Sequence, residues 1–218
     1  MRKIYDSART AKYLEDPLAA GLFPEMVRDD LVLFEFDSDE TIIEAGRSVD
    51  YLFLLVEGRP KILAEHVSGK VFLLDFCTYP SVFGEWEMRD NVPTCTIRTI
   101  TPCLCVGISQ ETARRKLYDE ISFWKTLKLL SGTKTNRQVE HCINTISMKL
   151  EARCAYYILN NSFRNQYREP HTEAASYMGV SYRHFLSVLE SFVKRGILEK
   201  SPAGYRIIDL EALEDLLK

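Results

Sequence analysis

The spacing of apolar residues divides the chain into two parts. Between about Leu31 and Ile108, short runs rich in Val, Ile, Leu, Phe and Thr alternate with turns that contain Gly or Pro. Val67-Ser68-Gly69-Lys70 separates two such runs and is typical of a hairpin turn, in which Gly69 takes a positive φ. Strand-like runs spaced about 8 to 12 residues apart predict an antiparallel sandwich or closed barrel.

A helical pattern follows from about Asp119 to Ser147, where no proline occurs. Its seam positions are separated alternately by three and four residues, which is the heptad rule. We predict a dimer helix whose contacts are the members of this seam at 129, 136, 139, 143 and 146. The alternative is a helix that packs on its own barrel. The full seam contains Leu129, Gly132, Asn136, Val139, Ile143, Ile146 and Leu150.

The rest of the sequence is mainly helical. KLEARCAYYILNN predicts a helix, and the polar stretch SFRNQYREPHT, which contains Pro170, predicts a loop. Two helices joined by a tight turn follow, then ILEKSPAGYRIID predicts two short strands and LEALEDLLK a final helix. We therefore expect a strand-rich domain over residues 1–115, a long helix over 116–147 and a helical domain over 148–218.

The two helices around the tight turn have the features of a helix-turn-helix. Thr172 can cap the first helix, and Glu173 lies near the positive end of its dipole. Gly179 provides the left-handed turn, and Ser181 caps the second helix. A bare helical corner is the alternative interpretation of these features.

The second helix separates apolar from polar side chains in the way that a major-groove reader requires. Phe185, Val188, Leu189 and Phe192 share one face, whereas the polar residues of the first turns lie mostly off it. Arginine suits a bidentate contact with guanine, and Ser, His and Tyr can reach bases or phosphates. The predicted DNA-binding residues are Thr172, Ser181, Tyr182, Arg183, His184 and Ser187.

Charge and hydropathy narrow the function classes. The chain has a formal net charge of −3, which argues against a protein whose whole surface is basic and binds nucleic acid through that charge. Between Ser162 and Ile208, however, the sequence contains seven basic and four acidic residues. The local net charge of +3 lies in the part of the chain that would approach DNA phosphates. Tyr205 and Arg206 of the last hairpin are expected near the DNA backbone. We predict a cytoplasmic protein without a membrane partner, since no run reaches the ~18 to 20 apolar residues of a membrane span and the amino terminus lacks a signal-peptide core.

Cysteines and histidines do not indicate a catalytic or metal site. The six cysteines are expected to be small buried thiols rather than disulfides. Cys103 and Cys105 should face the same side of a strand, and with Cys95 they could form a redox or metal site as an alternative. Among four histidines only His66 lies in the predicted barrel, too few for a cupin enzyme. We predict neither a metal nor an enzyme.

These segments together resemble the CRP/FNR family of bacterial transcription regulators from about Leu31 onward. ETIIEAGRSVDYLFLLVEGRPKILAEHVSGKVFLLDF resembles its cyclic-nucleotide-type barrel, and Phe83-Gly84-Glu85 the start of its phosphate-binding cassette. GVSYRHFLSVL and GILEKSPAGYRI are especially similar to its YeiL branch. The resemblance implies an α+β fold: an antiparallel cyclic-nucleotide-binding-like β-barrel (a double-stranded β-helix), a long dimerisation helix and a winged helix-turn-helix.

Two departures from the family pattern concern the effector. In nucleotide-binding members an arginine pairs with the cyclic phosphate, but Pro93 stands at that position and Arg89 lies four residues upstream. Glu85, which would accept a ribose hydroxyl, remains. We therefore predict no cofactor, no tight binding of cAMP, and an unknown effector in a pocket formed by Phe83, Gly84, Glu85, Thr94 and Cys95. The amino-terminal cysteine cluster that holds iron and sulfur in oxygen-sensing members is absent, because the first cysteine is Cys77.

The resemblance implies a homodimer that binds double-stranded DNA at a roughly palindromic operator and has RNA polymerase as a partner. Arg183 stands where well-known members carry a Glu, so the half-site should differ from theirs. The alternative is a degenerate dimeric ligand-sensing or protein-interaction module without DNA binding.

Overall fold

The computed structural model describes residues 1–69, 71–85, 92–202 and 204–217. The chain forms two compact units, Met1–Gln138 and Val139–Lys218. The boundary between them falls inside the long helix, so this helix contributes residues to both units. Among the described residues, no helix is both long and apolar enough to cross a membrane.

The first unit is built on two antiparallel sheets. One contains five strands in the order β1-β2-β9-β4-β7, and the other four strands in the order β3-β8-β5-β6. Gly69 has a φ of +77° in the turn between β5 and β6, as predicted. The strands are β1 (Arg2–Ile4), β2 (Val32–Phe36), β3 (Thr41–Ile43), β4 (Tyr51–Glu57), β5 (Pro60–Glu65), β6 (Val71–Phe76), β7 (Ser81–Phe83), β8 (Thr96–Thr99) and β9 (Cys103–Ser109).

Alternation along the strands gives the five-stranded sheet two apolar faces. On β9, Cys103 and Cys105 point into a core shared with the second sheet, where Ile62 and Ile97 lie. Leu104 and its alternate neighbours point to the opposite face, which the helices of this unit cover. The prediction that the two cysteines face the same side is therefore confirmed.

Short elements that the sequence pattern did not predict complete the first unit. They include strands β1 and β7 and helices α1 (Ser7–Tyr13) and α2 (Pro17–Leu22). Asp6 caps α1 by accepting from the Arg9 amide at 2.9 Å, and Asp16 caps α2 by accepting from the Leu18 amide at 2.8 Å. An aspartate immediately before Ser7 or Pro17 is a helix-start signal, but such short helices carry too little periodicity to be recognised.

The predicted helix over 116–147 is interrupted near its start. Helix α3 covers Gln110–Leu117 and helix α4 covers Ile121–Ser147. Within α4, Phe123, Leu127, Leu130 and Lys134 are buried. The first half of α4 thus packs on its own barrel, as in the alternative interpretation, while the seam residues lie on another face.

The second unit contains the end of α4, four shorter helices and a small antiparallel sheet. The first part of the stretch predicted as a loop, residues 162–167, is instead a hairpin, in which Arg164 and Asn165 both take a positive φ (50° and 60°) and close a two-residue turn. Residues 168–170 are irregular, as predicted. The second strand of the hairpin pairs with β13, so the sheet has the order β10-β11-β13-β12. The elements are α5 (Leu150–Asn160), β10 (Ser162–Phe163), β11 (Gln166–Tyr167), α6 (His171–Tyr177), α7 (Tyr182–Lys194), β12 (Leu198–Ser201), β13 (Gly204–Ile207) and α8 (Leu210–Asp215).

Candidate functional site

The start of helix α7 presents polar side chains to solvent. Gly179 has a φ of +65° in the turn before it, and the Ser181 hydroxyl accepts from the His184 amide at 3.2 Å. Tyr182 is 49% exposed, and the other predicted residues of this helix are exposed as well. The structure therefore brings together five of the six predicted DNA-binding residues: Ser181, Tyr182, Arg183, His184 and Ser187.

The opposite face of α7 is buried and fixes which side chains point outward. Phe185, Val188, Leu189 and Phe192 are all buried, with exposed fractions of 7% or less. An amphipathic helix with this core can present only its polar face. The face that could reach base edges is therefore determined by packing and not by the polar residues themselves.

Thr172 does not have the capping role predicted for it. Helix α6 begins at His171, its N-cap is Pro170, and no side chain caps it. Thr172 lies one residue inside the helix, where it is exposed. The cap prediction was wrong because the helix already begins after Pro170. Proline has a fixed φ and no backbone N–H group that would need an acceptor.

The predicted wing residues are less accessible than expected. Tyr205 is only 6% exposed, and its ring centroid lies 5.6 Å from that of His171, so little of this side chain is available to DNA, and its place near the DNA backbone stays a prediction. Its position in β13 turns it inward toward the core. Arg206 is exposed but forms an ion pair with Glu199 on the neighbouring strand β12.

Helix α4 carries an exposed apolar stripe along the predicted dimer seam. Leu129 is 56% exposed, Val139 51%, Ile143 57% and Ile146 82%. Asn136 is exposed on the same stripe. Large apolar side chains repeated at heptad spacing and left in water are typical of a coiled-coil contact.

A cavity of about 640 Å³ lies beside the cassette in the first unit. Gly84, Glu85, Thr94 and Cys95 line it as predicted, but Phe83 belongs to the buried core and is not part of the lining. The remaining described lining residues are Ile43, Ile62, Val92, Pro93, Ile97, Lys134, Thr135 and Gln138.

Gly84 positions the acidic residue of this cavity. Its φ is +86°, and a Cβ at this position would lie 2.5 Å from the carbonyl oxygen of Tyr51. The Gly84 carbonyl accepts a hydrogen bond of 2.7 Å from the buried amide group of Gln110. Only glycine fits this backbone, and the bend that it allows directs Glu85 toward α4.

Pro93 occupies the position where the family's arginine is expected. It is buried, lines the cavity, and its carbonyl accepts from the Gly46 amide at 2.8 Å. Proline has no charge and no side-chain donor. Arg89 lies outside the described residues. Among the described residues that line the cavity, the one cation is Lys134.

Lys134 enters the cavity from helix α4 and is paired with the cassette. Its ammonium group donates to Glu85 and, at 2.9 Å, to the carbonyl oxygen of Val82. The two charged side chains are only 10% and 5% exposed. A charge buried to this degree is tolerated only when it is paired and hydrogen-bonded.

A second ion pair joins the same helix to the barrel. Arg137 donates to the Asp75 carboxylate at 3.3 Å. Burial raises the pKa of Asp75, and the nearby Arg137 opposes this effect. Burial also raises the pKa of the Cys77 thiol to about 12. The sequence pattern did not indicate Lys134 and Arg137 as site residues, although both lie in the predicted long helix.

The cysteines differ in accessibility, and all six thiols are free. Burial raises the pKa of Cys103 to about 11 and that of Cys154 to about 12. Cys95 is half-buried in the cavity wall and Cys142 is exposed, so the expectation that all cysteines are buried was wrong for these two. The described residues contain no group of three or more His, Cys, Asp or Glu side chains that could hold a metal ion.

Comparisons with known proteins agree with this architecture. Residues 33–119 match the cyclic nucleotide-binding domain model. The structure is similar to that of a CRP/FNR-family transcriptional regulator from Eubacterium rectale (TM-score 0.77, 18% identity, 94% of this chain and 99% of that chain). It is also similar to a CRP-family regulator from Thermus thermophilus (TM-score 0.73, 19% identity, 84% of this chain and 96% of that chain). At these identities the solved structures show a shared fold.

A curated relative extends the agreement from fold to family. The chain is 34% identical over 192 residues to the regulatory protein YeiL of Escherichia coli O157:H7, and the match covers 87% of each chain. The matched relatives are regulators and not enzymes. With its barrel, long helix and helix-turn-helix in the family's order, the chain belongs to the CRP/FNR family of transcription regulators, in the group that contains YeiL.

Proposed function

We propose that the chain acts as a homodimer that binds double-stranded DNA at a roughly palindromic operator and does not require cAMP. The observation that carries this proposal is the polar, exposed start of α7 above a fully buried apolar face. Helix-turn-helix proteins place this part of the second helix in the major groove. Two copies would read half-sites about one DNA turn apart.

The dimer contact is proposed along helix α4. Val139, Ile143 and Ile146 are each more than half exposed, and a second copy of the same stripe would remove them from water. A two-fold contact needs no other complementary surface, because each stripe packs on its own symmetry mate. Asn136 in the seam would favour one register.

The cavity's charges support the proposed independence from cAMP. A cyclic phosphate needs a cation, but Pro93 replaces the arginine, and the Lys134 ammonium is engaged by Glu85. The same carboxylate is the group that would accept a ribose hydroxyl. Among the described residues that line the cavity, the cyclic phosphate therefore has no free cation, and a ribose hydroxyl would share the Glu85 carboxylate with Lys134.

Selection from a random duplex pool tests this function. Purified protein is incubated with the pool with and without cAMP, and the retained DNA is sequenced. We expect the same palindrome to be enriched under both conditions. Enrichment only with cAMP would leave DNA binding intact and contradict the argument from Pro93. No enrichment under either condition would favour the protein-interaction module.

Arg183→Ala tests the proposed base contact. We expect it to cost about 1 to 3 kcal/mol on the selected site and to relax specificity at one base position. Lys194→Ala is the matched control, because Lys194 is exposed at the other end of the same helix. If Arg183→Ala weakens selected and random duplexes equally, Arg183 contacts phosphate and not a base.

A further inference from the structure

Lys134 occupies a position where an apolar residue is expected. The buried face of α4 runs through Phe123, Leu127 and Leu130, and Lys134 is the next member of that series. Its side chain is 10% exposed. An ammonium group in this position loses most of its hydration, so contacts with polar or charged partners must compensate for the cost of burial.

Three residues at or next to the start of the cassette supply those partners. The ammonium donates to the Val82 carbonyl oxygen at 2.9 Å, lies 5.6 Å from the centroid of the Phe83 ring, and donates to the carboxylate of Glu85. A carbonyl, an aromatic face and a carboxylate form a receptor for a cation. The receptor's occupant is a side chain of the same molecule.

The neighbouring ion pair reinforces the same contact. Arg137 lies about one helical turn after Lys134 and donates to Asp75 at 3.3 Å. The Asp75 side chain is 7% exposed, and that of Arg137 is 38% exposed. Lys134 and Arg137, one helical turn apart on α4, are thus paired with two buried acids of the first unit. Both pairs lie beside a cavity whose other walls are mainly apolar.

We propose that Lys134 is a built-in occupant of the effector cavity, which takes the place of the polar group of a diffusible ligand and holds α4 in its DNA-binding position without one. This inference rests on the proposed function. Any ligand whose hydroxyl is accepted by Glu85 would have to share that carboxylate with Lys134. Lys134 therefore determines whether the protein binds DNA without a ligand. It also determines which ligands can bind next to Glu85.

Substitutions at the pair test the proposal. Lys134→Met leaves Glu85 buried without its partner, so the double variant Lys134→Met/Glu85→Gln, which removes both charges, is made alongside it. Lys134→Arg keeps the cation, and the charge exchange Lys134→Glu/Glu85→Lys keeps a pair. Lys125→Met is the matched control, because Lys125 is exposed on the same helix. Each protein is checked for folding and dimerisation by circular dichroism and sedimentation.

The main readout is affinity, without added ligand, for the duplex selected by the wild-type protein and for a random duplex. We expect the single and the double neutral variants to lose at least tenfold in affinity for the selected duplex and to change little on the random duplex. Lys134→Arg and Lys125→Met should stay within about twofold of the wild type, and the charge exchange should recover part of the loss. Hydrogen exchange should rise in residues 127–138 of the neutral variants only.

The failure of this inference is separable from the failure of the proposed function. A wild-type protein that selects no DNA contradicts the proposed function. A wild-type protein that selects DNA, together with a folded Lys134→Met/Glu85→Gln dimer of equal affinity, overturns the role of Lys134 alone. A loss of thermal stability with unchanged selectivity for the selected duplex would make the pair purely structural and would also overturn it.

Discussion

Truncation of Ile143 should weaken the dimer strongly. Ile143→Ala removes three carbon atoms from a side chain that is 57% exposed in a single copy. At about 0.8 kcal/mol per fully buried methylene, these carbons contribute about 1.4 kcal/mol per chain if the dimer covers the exposed part. Because a two-fold axis places the residue in both subunits, the loss is about 2 to 3 kcal/mol, or roughly 30- to 150-fold in the dissociation constant.

Sedimentation velocity over a dilution series measures that constant directly. Val67→Ala is the control, since Val67 is 98% exposed in the β5–β6 hairpin and also apolar but lies off the helix. We expect Val67→Ala to leave the constant unchanged. An Ile143→Ala dimer within about threefold of the wild type would refute the seam. The apolar stripe of α4 would then have to be covered by a partner other than the same stripe of a second copy.

Three further outcomes follow from burial and backbone geometry. Burial lowers the pKa of His171 below its ordinary value of 6.5, so its contribution to stability is present above pH 6.5 and is lost as the pH falls through the lower pKa of the folded state. Chemical denaturation monitored in the second unit should show this loss in the wild type and less of it in His171→Asn. Cys142, which is exposed, should react with a thiol reagent in the native protein, whereas Cys105, whose pKa burial raises well above its ordinary value of 9.0, should react only on unfolding. Gly204→Ala should lower the melting temperature by several degrees, because its φ is +137° and the new Cβ would meet the Tyr167 carbonyl oxygen at 2.2 Å. Gly69→Ala is the comparison without a clash, because its φ is also positive (+77°) but its new Cβ would meet nothing within 4 Å.

The sequence predicted features whose cause is local. Gly179 and Ser181 were identified because a left-handed turn and an N-cap each depend on one residue and its immediate neighbours. The face of α7 was likewise fixed by periodicity within thirteen residues. Thr172 was misassigned because two nearby residues, Pro170 and Thr172, could both start a helix, and local rules do not rank them.

Features that depend on distant partners were not predictable in the same way. Lys134 could have been noticed as a charge that continues the apolar series of Leu127 and Leu130, which is a sign of a buried partner. Nothing in the sequence, however, pairs it with Glu85, because the contact spans 49 positions and depends on the bend at Gly84. The hairpin at Arg164 and Asn165 was missed for a different reason, since neither residue needs a positive φ until the strands pair.

Helix α4 brings the cavity and the seam onto one continuous element. Its buried series ends at Lys134, while the seam begins at Leu129 and runs to Ile146, so the two series overlap for about one and a half turns. Residues two positions apart on a helix point about 200° apart, which places Lys134 and Asn136 on nearly opposite sides. A rotation of the helix that withdrew Lys134 from Glu85 would therefore turn Asn136 and Leu129 by the same angle. The buried pair therefore fixes which side of α4 carries Leu129 and Asn136, so the proposed occupant of the cavity also sets the orientation of the proposed dimer contact.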